Sequence, residues 1–160
     1  MTQLETIVLT AGLTLIGGVV ILILGELFKT LVIIPLQKYR EQVQVVLDRV
    51  DFYSNYLTNY FSAKPTAREQ EVIDNIRADL RSGATQLSSK YASIALGRLL
   101  VHLRLLRPKA KIQTAYGSLM YLHNSILYEG KGSSHQNPTE NLKHIEAIQR
   151  ALQPPHLRAK

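Results

Sequence analysis

Residues 7–25, IVLTAGLTLIGGVVILILG, form an apolar stretch of 19 residues without a single charge. At about 1.5 Å per residue, a helix of this length extends over roughly 28 Å, which matches the hydrocarbon thickness of a bilayer. A cleaved signal peptide is disfavoured because no Lys or Arg precedes the stretch and because apolar residues continue through Leu31 to Ile34. A buried core helix is the remaining alternative. The sequence predicts a transmembrane anchor over residues 1–35.

The charges that flank this stretch predict its orientation. Glu5 is the only charged residue before it, whereas Lys29, Lys38 and Arg40 follow it. Basic residues are concentrated on the cytoplasmic side of membrane helices. We therefore expect the N-terminus outside and the rest of the chain in the cytoplasm.

Small residues recur along one side of the predicted membrane helix. Because close helix packing in membranes requires small side chains, this face predicts self-association into a homo-oligomer. The alternative is that glycine is simply common in membrane helices. The residues of this small-residue face are Ala11, Thr14, Gly18 and Gly25.

Glu26 and Lys29 stand three residues apart at the end of the apolar stretch, so they share a helix face and can pair. We interpret them as a charge pair that anchors the helix at the membrane–water interface. An ion or proton site is the alternative, since charges at membrane depth are often functional.

Beyond Pro35, apolar residues recur at alternating spacings of three and four, the pattern of packed helices. One such helix follows Pro35. A second begins near Thr66, and it is either continuous or broken in two at the polar residues 82–89. A third covers residues 109–128. A last helix starts at Asn137 and buries Leu142, Ile145, Ile148 and Leu152.

No segment has the alternation of a β-strand, so the predicted fold class is all-α. We expect one N-terminal transmembrane helix followed by a cytoplasmic antiparallel bundle of four to five helices. The bundle would cover residues 36–153, and residues 154–160 would form a disordered tail.

The net charge of +7 is concentrated in residues 80–128, which contain seven Lys or Arg residues and no acidic residue. Within residues 94–111, leucines alternate with cations, which predicts a basic amphipathic helix on anionic lipid headgroups or on an acidic protein partner. The alternative is an ordinary bundle helix with a cationic solvent face. Nucleic acid is disfavoured because no binding motif or aromatic platform accompanies the charges. The predicted anion-binding residues are Arg98, His102, Arg104, Arg107, Lys109 and Lys111.

The sequence offers little for catalysis. It contains no cysteine, which excludes disulfides and thiolate metal sites, and none of its five histidines lies three or four residues from another. Asp48 and Asp51 share a helix face, but Arg49 between them indicates a solvated charge cluster. We predict no catalytic residue, no metal and no cofactor.

Three short segments resemble a group of small bacterial membrane proteins that have one N-terminal span and a helical cytoplasmic domain. They are Pro35–Arg40 (PLQKYR), Phe52–Asn55 (FYSN) and Leu119–Ile126 (LMYLHNSI), with Ile76–Arg81 (IRADLR) also similar. The resemblance implies a location in the bacterial inner membrane. It brings no activity or functional residue with it.

The sequence thus predicts a non-enzymatic, membrane-anchored interaction or scaffold protein, acting as a homo-oligomer or within a larger membrane complex. A small homo-oligomeric channel is the alternative. In that case the small-residue face would pack the pore helices, and Glu26 with Lys29 would surround the cytoplasmic mouth. Against a channel, the span has no polar lining apart from Thr10 and Thr14.

Overall fold

A computed structural model describes residues 2–59, 61, 64–126 and 137–153 of the chain. These residues contain no β-strand, which confirms the predicted all-α class. The predicted disordered tail, residues 154–160, lies outside the described residues. The helices are α1 Gln3–Phe28, α2 Ile34–Thr58, α3 Ala67–Ala92, α4 Gly97–His102, α5 Lys109–Asn124 and α6 Pro138–Leu152, with a π-helical turn at Lys29–Ile33.

Helices α1 and α2 are joined without a break, so the chain is helical from Gln3 to Thr58. The sequence predicts a separate helix after Pro35. Proline lacks the N–H that a helix interior needs, and the structure accommodates it with the preceding π-helical turn, in which the Ile34 N–H donates to the Lys29 carbonyl. The predicted domain boundary at residue 35 therefore falls within a continuous helix.

The N-terminal half of this helix is long and apolar enough to cross a membrane, and none of its most apolar part is buried by the rest of the chain. Ile7 is 67% exposed, and Leu15 and Ile21 are each 72% exposed. A core helix would hide such side chains. The alternative of a buried core helix is therefore wrong.

The remaining long helices pack around one apolar core. Helix α2 contacts α3 and α6, and α5 contacts the same two helices. The spacings of three and four identified most of the core correctly, including Val46, Val50 and Leu57 in α2 and Ile73, Ile76, Leu80 and Leu87 in α3.

Helix α3 is unbroken from Ala67 to Ala92, so the polar residues 82–89 do not divide it. Gly83 lies on its buried side, where an added Cβ would be 3.4 Å from Cγ2 of Val46. The helix begins with a capping box, in which Thr66 and Glu69 each satisfy the other's backbone N–H. The cap stabilises the start of the helix at the position that the sequence predicted.

Helix α6 starts with the predicted Asn137 cap and Pro138, and Ile145, Ile148 and Leu152 are buried as predicted. Leu142, expected in the core, is 48% exposed, and Asn141 is fully buried instead. Its amide donates to the carbonyls of Leu57 and Ser125 at 2.6 and 3.0 Å and accepts from the Ser125 hydroxyl at 2.8 Å. These bonds satisfy a polar group that would otherwise be costly to bury.

Candidate functional site

The residues between α3 and α5 do not form the single amphipathic helix that their sequence suggested. Helix α4 covers only Gly97–His102, and Leu96 and Arg104, on either side of it, have left-handed backbones with φ of 57° and 59°. A left-handed residue cannot continue a right-handed helix. Residues 94–108 therefore form a compact loop that contains the short helix α4, and we call this segment the α4 loop.

The α4 loop is closed by its own backbone hydrogen bonds. The carbonyl of Leu100 accepts from the N–H groups of Leu105 and Leu106, at 2.9 and 3.1 Å. Leu100 and Leu106 are also the buried leucines of the loop, each 5% exposed. The expected wide apolar face is thus divided: these two leucines enter the core, and Leu96, Leu99, Leu103 and Leu105 remain exposed.

The α4 loop is held beside the π-helical turn. The Ala95 N–H donates to the Leu31 carbonyl at 3.3 Å. In a regular α-helix that carbonyl would accept from residue 35, which is proline and has no N–H. The rings of Tyr39 and Tyr91 meet edge to face with centroids 5.7 Å apart, and the Tyr91 hydroxyl donates to the Arg107 carbonyl.

Most of the predicted anion-binding residues are exposed in and just after the α4 loop, namely Arg98, His102, Arg104, Lys109 and Lys111. None of them takes part in the four ion pairs between described residues. Arg107 differs, because its half-buried guanidinium donates to the Gln153 carbonyl at the end of α6. It joins two helix ends and is less open to a partner than the sequence suggested.

A groove of about 950 Å³ runs between the end of α3, the α4 loop and the start of α5. Its walls are mainly apolar, with contributions from Tyr91, Ile94 and Val101, and the cationic Arg98 and Lys109 also line it. An apolar groove with cations in its walls suits an amphiphilic molecule that carries an anionic head group.

Tyr39 lies in the core beside Tyr91. It is 4% exposed, and its hydroxyl has no hydrogen-bond partner among the described residues. Burial raises the pKa of Tyr39 far above its usual range, Tyr91 adds to this rise, and Arg107 opposes it. The phenol therefore stays neutral, and its spacing in the sequence did not indicate an unpaired hydroxyl.

The predicted sites in the N-terminal helix are exposed. Lys29 Nζ lies 3.4 Å from Glu26 Oε1, so these side chains form an ion pair. The Thr14 hydroxyl donates to the Thr10 carbonyl of its own helix. An added Cβ at Gly18 or Gly25 would meet no atom within 4 Å. The small-residue face, which also includes Ala11, is thus not covered by other parts of the described chain, and its self-association remains a prediction.

Other polar groups pair in ways that support the fold. Asp48 accepts from Gln44 at 2.8 Å. Asp79 pairs with Arg49 at 3.2 Å and accepts from the Tyr53 hydroxyl at 2.8 Å, which links α2 to α3. Across the described ranges, no three His, Asp or Glu side chains lie close enough to hold a metal ion. The histidines at 135 and 156 lie outside those ranges.

No family model, no curated protein and no solved structure matches this chain.

Proposed function

We propose that this chain is a single-pass protein of the bacterial inner membrane, with its N-terminus outside and an antiparallel helical bundle in the cytoplasm. The exposed apolar helix α1 supports the membrane location. The basic residues after it support the orientation. A protease-sensitive tag after Lys160 tests the topology: cleavage should require broken cells, and cleavage on intact cells would overturn it.

The proposed activity is non-enzymatic. The α4 loop and the start of α5 bind the anionic lipid headgroups of the membrane in which the chain is anchored, and so hold the cytoplasmic domain against that membrane as an interaction platform. An acidic protein is the competing partner for the same cations.

One observation carries this proposal: the hydrogen bond from Ala95 to Leu31. It connects the segment with the unpaired cations to the helix that we place in the membrane. From Ile7 to Leu31 the helix rises about 36 Å, which brings Leu31 into the headgroup zone of a bilayer about 40–45 Å thick. Cations held at that level gain roughly 1 kcal/mol each from an anionic leaflet.

Hydrogen–deuterium exchange tests the lipid partner on the full chain in nanodiscs. We expect slower exchange across residues 94–111 in discs that contain phosphatidylglycerol than in discs of phosphatidylcholine alone, and the difference should fade in high salt. The double variant Lys109→Gln/Lys111→Gln should reduce it. Arg68→Gln/Arg81→Gln removes the same charge from exposed positions on α3 and is the matched control.

Equal exchange in neutral and anionic discs would overturn the lipid proposal. If an acidic protein then co-purifies in mild detergent and is lost in Lys109→Gln/Lys111→Gln but kept in the control, the cations serve that protein instead.

A further inference from the structure

The exposed leucines of the α4 loop indicate contact with an apolar partner. Leu96, Leu99, Leu103 and Leu105 are 57, 51, 55 and 49% exposed, and they lie within ten residues of one another. Clustered exposed apolar side chains mark sites of protein or membrane contact. Headgroup binding by the neighbouring cations does not account for them.

The shape of the loop keeps these leucines out of the core. Leu100 and Leu106 anchor it inside, the Leu100 carbonyl closes it, and the left-handed backbones of Leu96 and Arg104 turn the chain on either side of α4. Left-handed backbone is rare for residues with side chains and persists where the surroundings enforce it. The exposed leucines therefore belong to a preformed structure.

The surface beside the loop is apolar as well. Leu31, whose carbonyl accepts from Ala95, is 53% exposed, and Phe28 on the preceding turn is 51% exposed. The long helix therefore continues to present apolar side chains past Glu26 and Lys29, down to the level of the loop. Both surfaces suit the boundary between acyl chains and headgroups.

We propose that the α4 loop is a second membrane-inserting element, whose exposed leucines enter the acyl-chain boundary of the cytoplasmic leaflet while Arg98 and Arg104 remain among the headgroups. Alternating leucine and arginine suits this depth, because the long arginine side chain reaches back to the phosphates. The inference rests on the proposed membrane location, and it names the acyl chains, beyond the headgroups, as the ligand.

The exposed leucines contact the lipid of the membrane in which the chain is anchored, because the loop is hydrogen-bonded to the helix that enters that membrane. A soluble partner would have to reach these leucines at the level of the headgroups. A second copy of this chain is the remaining competitor for the apolar surface.

Single cysteines test the insertion in the full chain, since the sequence contains no cysteine of its own. An environment-sensitive dye is placed at Leu99→Cys or at Leu103→Cys. Leu142→Cys is the matched control: it is also a half-exposed leucine, but it follows Asn141, which bonds to Leu57. Leu57 lies about 39 Å along the long helix from Leu31.

In nanodiscs, we expect labels at 99 and 103 to emit at shorter wavelength than the label at 142. They should be quenched by phosphatidylcholine with a nitroxide high on its acyl chain, and they should be several-fold less sensitive to aqueous iodide. Leu96→Ser/Leu105→Ser, which removes apolar side chains from the same loop, should return the label at 99 towards the control values.

The proposal is overturned if labels at 99 and 103 respond to iodide as the label at 142 does and ignore the acyl nitroxide. Slower exchange in anionic discs alongside that result would leave headgroup binding intact. Acyl quenching that is equal in neutral and anionic discs would support insertion even if the electrostatic preference failed. A wavelength shift that depends on the number of chains per disc, without nitroxide quenching, would assign the leucines to a second copy and refute insertion.

Discussion

The backbone N–H of Ala95 donates to the carbonyl of Leu31 at 3.3 Å, although the two residues are far apart in sequence. That carbonyl lies four residues before Pro35, which has no N–H to offer it. The proline that disturbs the long helix thus exposes the acceptor that holds the α4 loop. Pro35 is therefore not a helix boundary, and it leaves the Leu31 carbonyl available as the attachment point of the loop.

Pro35→Ala should weaken this attachment. Alanine supplies an N–H that can compete for the Leu31 carbonyl in the regular helical pattern. Since a backbone hydrogen bond contributes about 1 kcal/mol, the Ala95 amide should exchange about fivefold faster. Amide exchange in detergent micelles measures this. Pro138→Ala, at the first turn of α6, is the control and should leave Ala95 unchanged. Unaltered exchange in Pro35→Ala would contradict the proposed role of the proline.

Asn141→Ala should destabilise the domain. The substitution leaves the Leu57 carbonyl and the Ser125 side chain without their buried partner, at about 1–3 kcal/mol for each group left unsatisfied. Urea unfolding of the detergent-solubilised chain measures the loss. Leu142→Ala changes the adjacent, exposed residue and should alter the free energy of unfolding by less than about 0.5 kcal/mol. Similar losses in both variants would contradict the burial assigned to Asn141.

Gly117→Ala should stabilise α5. An added Cβ would meet no atom within 4 Å, and alanine is favoured over glycine in a helix interior by about 1 kcal/mol. The same unfolding measurement should show this gain. Gly83→Leu is the contrast, because a Cβ there is already 3.4 Å from Val46 and the larger side chain would separate α2 from α3. A stabilised Gly83→Leu variant would contradict the close approach of these helices.

The capping box of α3 should give stability that depends on pH. Hydrogen bonds from the Thr66 backbone N–H and hydroxyl hold the pKa of Glu69 below its usual range, because they favour the carboxylate. A pKa that is lower in the folded than in the unfolded state stabilises the fold above the unfolded-state pKa. This contribution is lost as the pH falls through the folded-state pKa.

The free energy of unfolding of the parent protein should therefore exceed that of Glu69→Gln near neutral pH, and the difference should shrink in the acidic range. Unfolding curves at several pH values measure it. Glu71→Gln removes the same charge from an exposed position two residues later, outside the capping box, and is the control for the loss of one negative charge. A constant difference between the parent and Glu69→Gln across the range would show that the carboxylate is not the stabilising form.

Local signals in the sequence predicted much of the fold. The charge-free run from Ile7 to Gly25 indicated the long apolar helix, and the spacings of three and four indicated most of the core of α2 and α3. The starts of α3 and α6 followed from their capping residues, Thr66 and Asn137. In α6 the spacing also fitted Asn141, which stands four residues before Ile145. Leu142, three residues before Ile145, fits the spacing equally well, and only its hydrophobicity favours it over Asn141.

The candidate site was only partly predictable. Its cations could be listed, but periodicity favoured one helix over residues 94–111, where the structure has a turn with Leu96 and Arg104 in left-handed conformations. No sequence pattern indicated that Arg107 donates to the Gln153 carbonyl at the end of α6, or that the Tyr39 hydroxyl is buried without a hydrogen-bond partner among the described residues. Each depends on neighbours that are distant in sequence.

The amino-acid sequence alone is enough to predict the all-α class, the apolar N-terminal helix and the concentration of positive charge, because these depend on composition and on periodicity along a few turns. Three features follow from the packing of the helices: the α4 loop meets the long helix at Leu31, Asn141 is buried, and four leucines stay exposed. Such outcomes depend on which backbone groups and side chains from separate helices meet. That pairing becomes defined only when the helices pack around a common core.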